Sequence, residues 1–75
     1  MQLSDLTVGQ SGVLAGFTEE GLPHQSRYLS LGLIPGSIIK VVRVAPLGCP
    51  WQIKVGSTLL SIRRAEANQM LLEVS

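Results

Sequence analysis

LSLGLIPGSIIKVV, residues 29–42, changes its period midway, and that change decides the fold. Leu29 and Leu31 close a helical pattern. Gly32 then stands where a left-handed residue ends a helix, and Leu33 can fold back on the last turn. Pro35 prevents the helix from resuming, and Pro35-Gly36 turns the chain. From Ser37 to Val44 (SIIKVVRV) the β-branched content is that of a strand, with Lys40 and Arg43 as its solvent-facing points. No residue between 28 and 39 is charged. The punctuation therefore serves either the folding of a small domain or a surface that another protein reads.

Working outward, residues 22–31 (LPHQSRYLSL) read as one short helix with Pro23 in its first turn, where a missing N–H costs nothing. Ser11 to Phe17 (SGVLAGF) reads as a first strand. Its glycines at 12 and 16 predict a bend or a close backbone approach. Leu3 and Leu6 flank a short turn that tucks both under the fold. Downstream, residues 45–50 (APLGCP) form a stiff loop, and WQIKV alternates with Trp51, Ile53 and Val55 on one face. Gly56-Ser57 suits a two-residue hairpin turn. A strand from Thr58 to Arg63, a helical turn over residues 64–68 and a last strand, MLLEV, complete the chain. Five short strands and one helix inserted after the first strand make a mainly β fold. At this length a small closed barrel is preferred, since closure removes free edges, and an open sheet with the helix on one face is the alternative.

Composition limits the function. Seventy-five residues make one small domain, residues 1–75, which buries only about 60% of the surface its unfolded chain exposes. Apolar residues are 45% of the chain, enough for one core. Proline interrupts each long uncharged run, so no stretch is a membrane span and direct insertion is not expected. The N-terminus shows no basic and apolar leader, and a lone cysteine fits a reducing compartment, which together predict a cytoplasmic protein. A net charge of +1, six scattered Lys and Arg, and three aromatic residues argue against nucleic acid.

Catalytic groups are scarce, and no enzymatic activity is expected. His24 has no His, Cys or carboxylate one helical turn away to complete a metal pair. Cys49 lacks a second cysteine, and His24 is the one histidine that could activate it. Weak binding of a divalent iron or zinc by His24, Cys49 and acidic residues is carried as an alternative, with no cofactor as the main expectation. The glycines form no phosphate loop. What remains are two apolar, proline-stiffened loops. Leu33, Ile34, Pro35 and Gly36, with Pro46, Leu47 and Trp51, are the candidate partner-binding residues. The competing reading is that both loops cap the core.

The order of motifs LSDL, GVLAGF, RYLSLGLIPG, VVRVAPLGCP and SIRRAEA with a closing LLEV resembles the FeoA family over essentially the whole chain. The resemblance implies a cytosolic SH3-like barrel with an inserted helix. It also implies a non-enzymatic accessory role in bacterial ferrous iron uptake, with the cytoplasmic G-protein region of the FeoB permease as partner. Weak self-association is left open. Related barrels occur as C-terminal domains of iron-dependent repressors, which supplies a regulator-like alternative, though 75 residues leave no room for a DNA-binding helix-turn-helix. The chain departs from the family in carrying Cys49 where an acidic residue or glycine is common, and in the bulk of Trp51.

Overall fold

The computed structural model describes residues 1–74; Ser75, the last residue of the expected domain, lies outside it. Five strands form one antiparallel sheet: β1 (Ser11–Phe17), β2 (Ile38–Val44), β3 (Trp51–Val55), β4 (Thr58–Ile62) and β5 (Met70–Val74). Their order in space is β4-β3-β2-β1-β5. Helix α1 (Gln25–Ser30) lies between β1 and β2, and α2 (Arg64–Ala67) is a single turn before β5. The helix expected over residues 22–31 is divided. A 3-10 turn at Leu22–His24 holds Pro23, and the α-helix begins only at Gln25.

The sequence's punctuation does what its chemistry requires. Gly32 adopts φ +92°. Gly32 N–H donates to Leu29 O at 3.1 Å and Leu33 N–H to Tyr28 O at 3.0 Å, the paired bonds of a Schellman ending. Pro35 and Gly36 (φ +97°) then occupy the centre of a type II turn closed by Ser37 N–H to Ile34 O, 2.9 Å. Gly36 N–H donates to Leu14 O, and Leu14 N–H to Ser37 O, which ties the turn to β1.

Two bulges curl the sheet around its core. In β1 the register against β5 slips between Leu14 and Gly16, leaving Ala15 as the extra residue; in β2 the register against β3 slips between Val41 and Arg43, at Val42. An extra residue reverses which side chains face inward. Leu14 and Phe17 therefore both point into the core, as do Ile39, Val41 and the partly buried Val44, while Lys40 and Arg43 both stay outside. Without the bulge at Val42, Arg43 would enter the core. Gly12 allows β5 to pack closely: a Cβ there would sit 2.9 Å from Glu73 O.

One apolar cluster joins every strand, both leucines of the N-terminal turn, and Tyr28 of α1. The mainly β, barrel-like architecture is the expected one, but hydrogen bonding does not close it. Strands β4 and β5 end the ladder, and a five-stranded sheet of this order leaves two edges rather than none. The chain covers one of them. Gln2 bridges to Leu71, and Leu72 N–H donates to Met1 O at 2.7 Å along β5.

Candidate functional site

Each proline-stiffened loop has a fixed shape and a different place. The first, Leu33 to Gly36, joins α1 to the start of β2. The second leaves the end of β2 and is closed by Gly48 N–H to Ala45 O, 2.8 Å, and Ala45 N–H to Pro50 O, 3.2 Å. Cys49 Sγ accepts the Arg64 N–H at 3.3 Å, which pins this loop to the start of α2. Between the two loops lies the whole of β2, seven residues or about 20 Å of extended chain. They are not one surface.

Burial divides the candidates further. Leu33 is 0% exposed and Trp51 is 4% exposed, both in the core, so neither offers a contact to a partner. For Leu33 the reason is the helix ending: its N–H bond to Tyr28 O turns the side chain back under α1. For Trp51 it is the strand period, which places it with Ile53 and Val55 on the inner face, opposite Val44 and Ile62. Ile34, Pro35, Gly36, Pro46 and Leu47 are exposed, Leu47 almost completely at 97%.

Around the first loop the structure adds a residue that the sequence reading did not select. Ile38 is 59% exposed on the outer face beside Val13, and Ile34 is 52% exposed on the turn. Ile38 borders a shallow depression together with Gly36 and Ser37 of that turn, Val55 and the Gly56 turn of the β3–β4 hairpin, and with Ile34 on the adjoining turn it makes an apolar pole at one end of the domain. Alternation from the outward Lys40 makes Ile39 the inner residue and Ile38 the outer one, and their pairing with Gly12 and Val13 agrees.

The most polar depression lies elsewhere, between α1 and α2, with a volume of about 330 Å³. His24, Arg27, Tyr28, Arg63, Glu66 and Gln69 line it. Glu66 Oε1 accepts the Arg63 N–H at 3.0 Å, and its Oε2 sits 3.1 Å from Arg27 Nη1 as an ion pair lacking in-line hydrogen-bond geometry. Tyr28 stacks on Phe17 with ring centres 5.3 Å apart, and its hydroxyl donates to Gln69 Oε1 at 2.6 Å. Burial, reinforced by Glu66 and opposed by Arg27, raises the Tyr28 pKa above 10. A phenol so placed remains protonated at neutral pH. These contacts latch α1 onto α2 and present no activated nucleophile. His24 lines this cleft while Cys49 is engaged with Arg64, and among the described residues no group of three or more His, Cys, Asp or Glu could hold a metal ion.

No helix of the described residues is long and apolar enough to cross a membrane. A family model described as the FeoA domain matches residues 1–74. The FeoA protein from Chlorobium tepidum, known as a solution structure, is 34% identical with a TM-score of 0.88, over 99% of this chain and 70% of that one. FeoA from Stenotrophomonas maltophilia, solved as a zinc complex and described as a prokaryotic SH3 domain protein, is 26% identical. Its TM-score is 0.79, over 97% of this chain and 89% of that one. A manganese-dependent transcriptional repressor shares the fold alone, at 17% identity and a TM-score of 0.85, over 100% of this chain and 41% of that one.

Proposed function

This chain belongs to the FeoA family, which is linked to ferrous iron transport, and from that premise we propose that it is a non-enzymatic cytosolic accessory protein. It docks on the cytoplasmic G-protein region of a FeoB-like permease and modulates transport. The observation that carries the reading is the apolar pole. Ile34, on a turn held by backbone hydrogen bonds to β1, and Ile38, the first residue of β2, are both more than half exposed. A stiff apolar surface loses little conformational entropy on binding, which favours recognition by a protein. In the polar cleft the Glu66 carboxylate is engaged with Arg27 and with the Arg63 N–H at the start of α2, which accounts for it as a structural latch.

Ile34→Glu and Leu47→Glu separate the two ends of the domain, and both side chains are exposed enough for the fold to persist. In cells dependent on this chain for ferrous uptake, Ile34→Glu is expected to lower the rate, and Leu47→Glu to lower it less. A pull-down with the permease's cytosolic domain, with and without guanine nucleotide, reads binding directly. Normal uptake and retained binding in a folded Ile34→Glu variant would refute the docking assignment.

A further inference from the structure

We propose that the free edge of β4 and the lysine pair beside it form a binding site for an extended peptide segment that alternates acidic and apolar residues. The site goes beyond the apolar pole and does not depend on which protein supplies the segment.

Its first element is the edge. β4 pairs with β3 alone, in the register Val55↔Thr58, Ile53↔Leu60 and Trp51↔Ile62. Closure of the hairpin at Gly56-Ser57 makes Val55–Thr58 the hydrogen-bonded pair next to the turn. Alternation then directs the backbone N–H and C=O groups of Leu59 and Ser61 away from β3. Neither residue has another backbone partner among the described residues. Natural edges are blunted by a charge, a proline, a bulge or a covering segment. The sequence TLLSI contains no charge or proline, its pairing with β3 has no register shift, and Leu59 is 66% exposed. The opposite edge, β5, is covered by Met1 and Gln2. One edge is guarded and one is left open.

The second element is independent of the first. On the outer face Lys40 stands directly across from Lys54, and Lys54 across from Leu59. Like charges facing one another across strands destabilise a sheet. The other neighbour of Lys40 in this row is Ser11, and the ion pair found among the described residues is Arg27–Glu66, so neither lysine has a carboxylate partner. With Val42 and Leu59 these lysines border a shallow groove of about 530 Å³. A strand added to β4 would run about 10 Å from β3, two strand spacings. A glutamate on its outer face and Lys54 can meet across that gap above Leu59, and apolar residues alternating with it face inward beside Leu60. The edge supplies backbone bonds, Lys54 selects an acidic segment by contact, and Lys40, one strand further back, adds its charge to the same field. This is the division of labour in strand addition.

The test uses the ¹⁵N-labelled chain and the capped peptide Glu-Val-Glu-Val-Glu-Val-Glu, with its lysine-for-glutamate counterpart as control. The acidic peptide is expected to shift the amide signals of Leu59, Ser61, Lys40 and Lys54 and to slow hydrogen exchange at Leu59 and Ser61. The double variant Lys40→Glu/Lys54→Glu keeps its fold, since both side chains are exposed. It should bind the acidic peptide more than about tenfold more weakly and prefer the basic one. Equal binding of both peptides by the unmodified chain, or shifts that map away from β4, would overturn the proposal. So would protection of β4 amides that rises with protein concentration without peptide, because a second copy would then be the occupant.

Discussion

Truncating Leu33 and Ile34 in turn tests the assignment of one to the core and the other to the surface. Leu33 is 0% exposed and lies within the apolar core cluster. Leu33→Ala removes three carbons, about 2.4 kcal/mol at roughly 0.8 kcal/mol each, before any cavity term. The unfilled space brings a buried Leu→Ala to about 2.5–5 kcal/mol. A 75-residue domain has about 4–11 kcal/mol of stability in all, so this one change removes a quarter of it or more. A loss of about 3 kcal/mol lowers the melting temperature of so small a domain by about 12–24 °C. Ile34 is 52% exposed, so Ile34→Ala should cost about 1 kcal/mol or less. The single tryptophan, Trp51, is 4% exposed in the same core, and its fluorescence reports unfolding without a label. In urea, Leu33→Ala should move the midpoint sharply at an unchanged slope. If Ile34→Ala proves the more damaging of the two, the helix ending does not turn Leu33 inward and the reasoning fails.

Gly12 and Gly16 make a second contrast. Gly12→Ala should destabilise by about 1–3 kcal/mol, because its Cβ would meet a backbone carbonyl at 2.9 Å and push β5 from β1. Gly16→Ala meets nothing within 4 Å and needs no positive φ, so it should be neutral or stabilising by up to about 1 kcal/mol in thermal denaturation. Tyr28→Phe loses the 2.6 Å bond to Gln69 and should cost about 1 kcal/mol in the same assay. Tyr28 is the single tyrosine, so ultraviolet titration of the folded chain reads it alone, with a midpoint above 10. A raised folded pKa means that its contribution is complete below the unfolded value and is lost as pH rises through the folded one. Stability should therefore fall in strongly alkaline solution, and less so in Tyr28→Phe.

What could be read from the sequence was whatever a single residue must do regardless of its distant neighbours. Gly32 and Gly36 hold positive φ, Pro35 precedes the strand, and Trp51, Ile53 and Val55 share a face by period alone. Hidden were the features that two segments decide together. A bulge is a mismatch between strands, and its one trace in the sequence is that Lys40 and Arg43, three apart, are both polar. Had the alternation been strict, one of them would face the core. The glycine ending allowed Leu33 to fold back on the last turn, but whether it is thereby lost to a partner is decided only by the hydrogen bond to Tyr28 and the burial that follows. The open β4 edge was obscured by preferring a closed barrel, since strand composition is the same whether or not the last pair forms.

The size of the domain constrains how these faces can be used. Its accessible surface is 4493 Å², and a specific interface of ordinary size takes about 800 Å² from each partner, close to a sixth of this total. Ile34 and Ile38 with their turn cannot supply that alone. Along the outer side of β2, however, Ile38 is followed two residues later by Lys40, whose row runs through Lys54 to Leu59 at the β4 edge. The apolar pole and the lysine row are therefore continuous, and one partner of ordinary size would cover both. Leu47 lies at the far end of β2, about 20 Å away along the strand, outside that footprint. A leucine so exposed and so isolated is ordinary for a surface and implies no partner by itself. What distinguishes the other end is contiguity: apolar side chains, unpaired lysines and open backbone groups meet there on rigid strands.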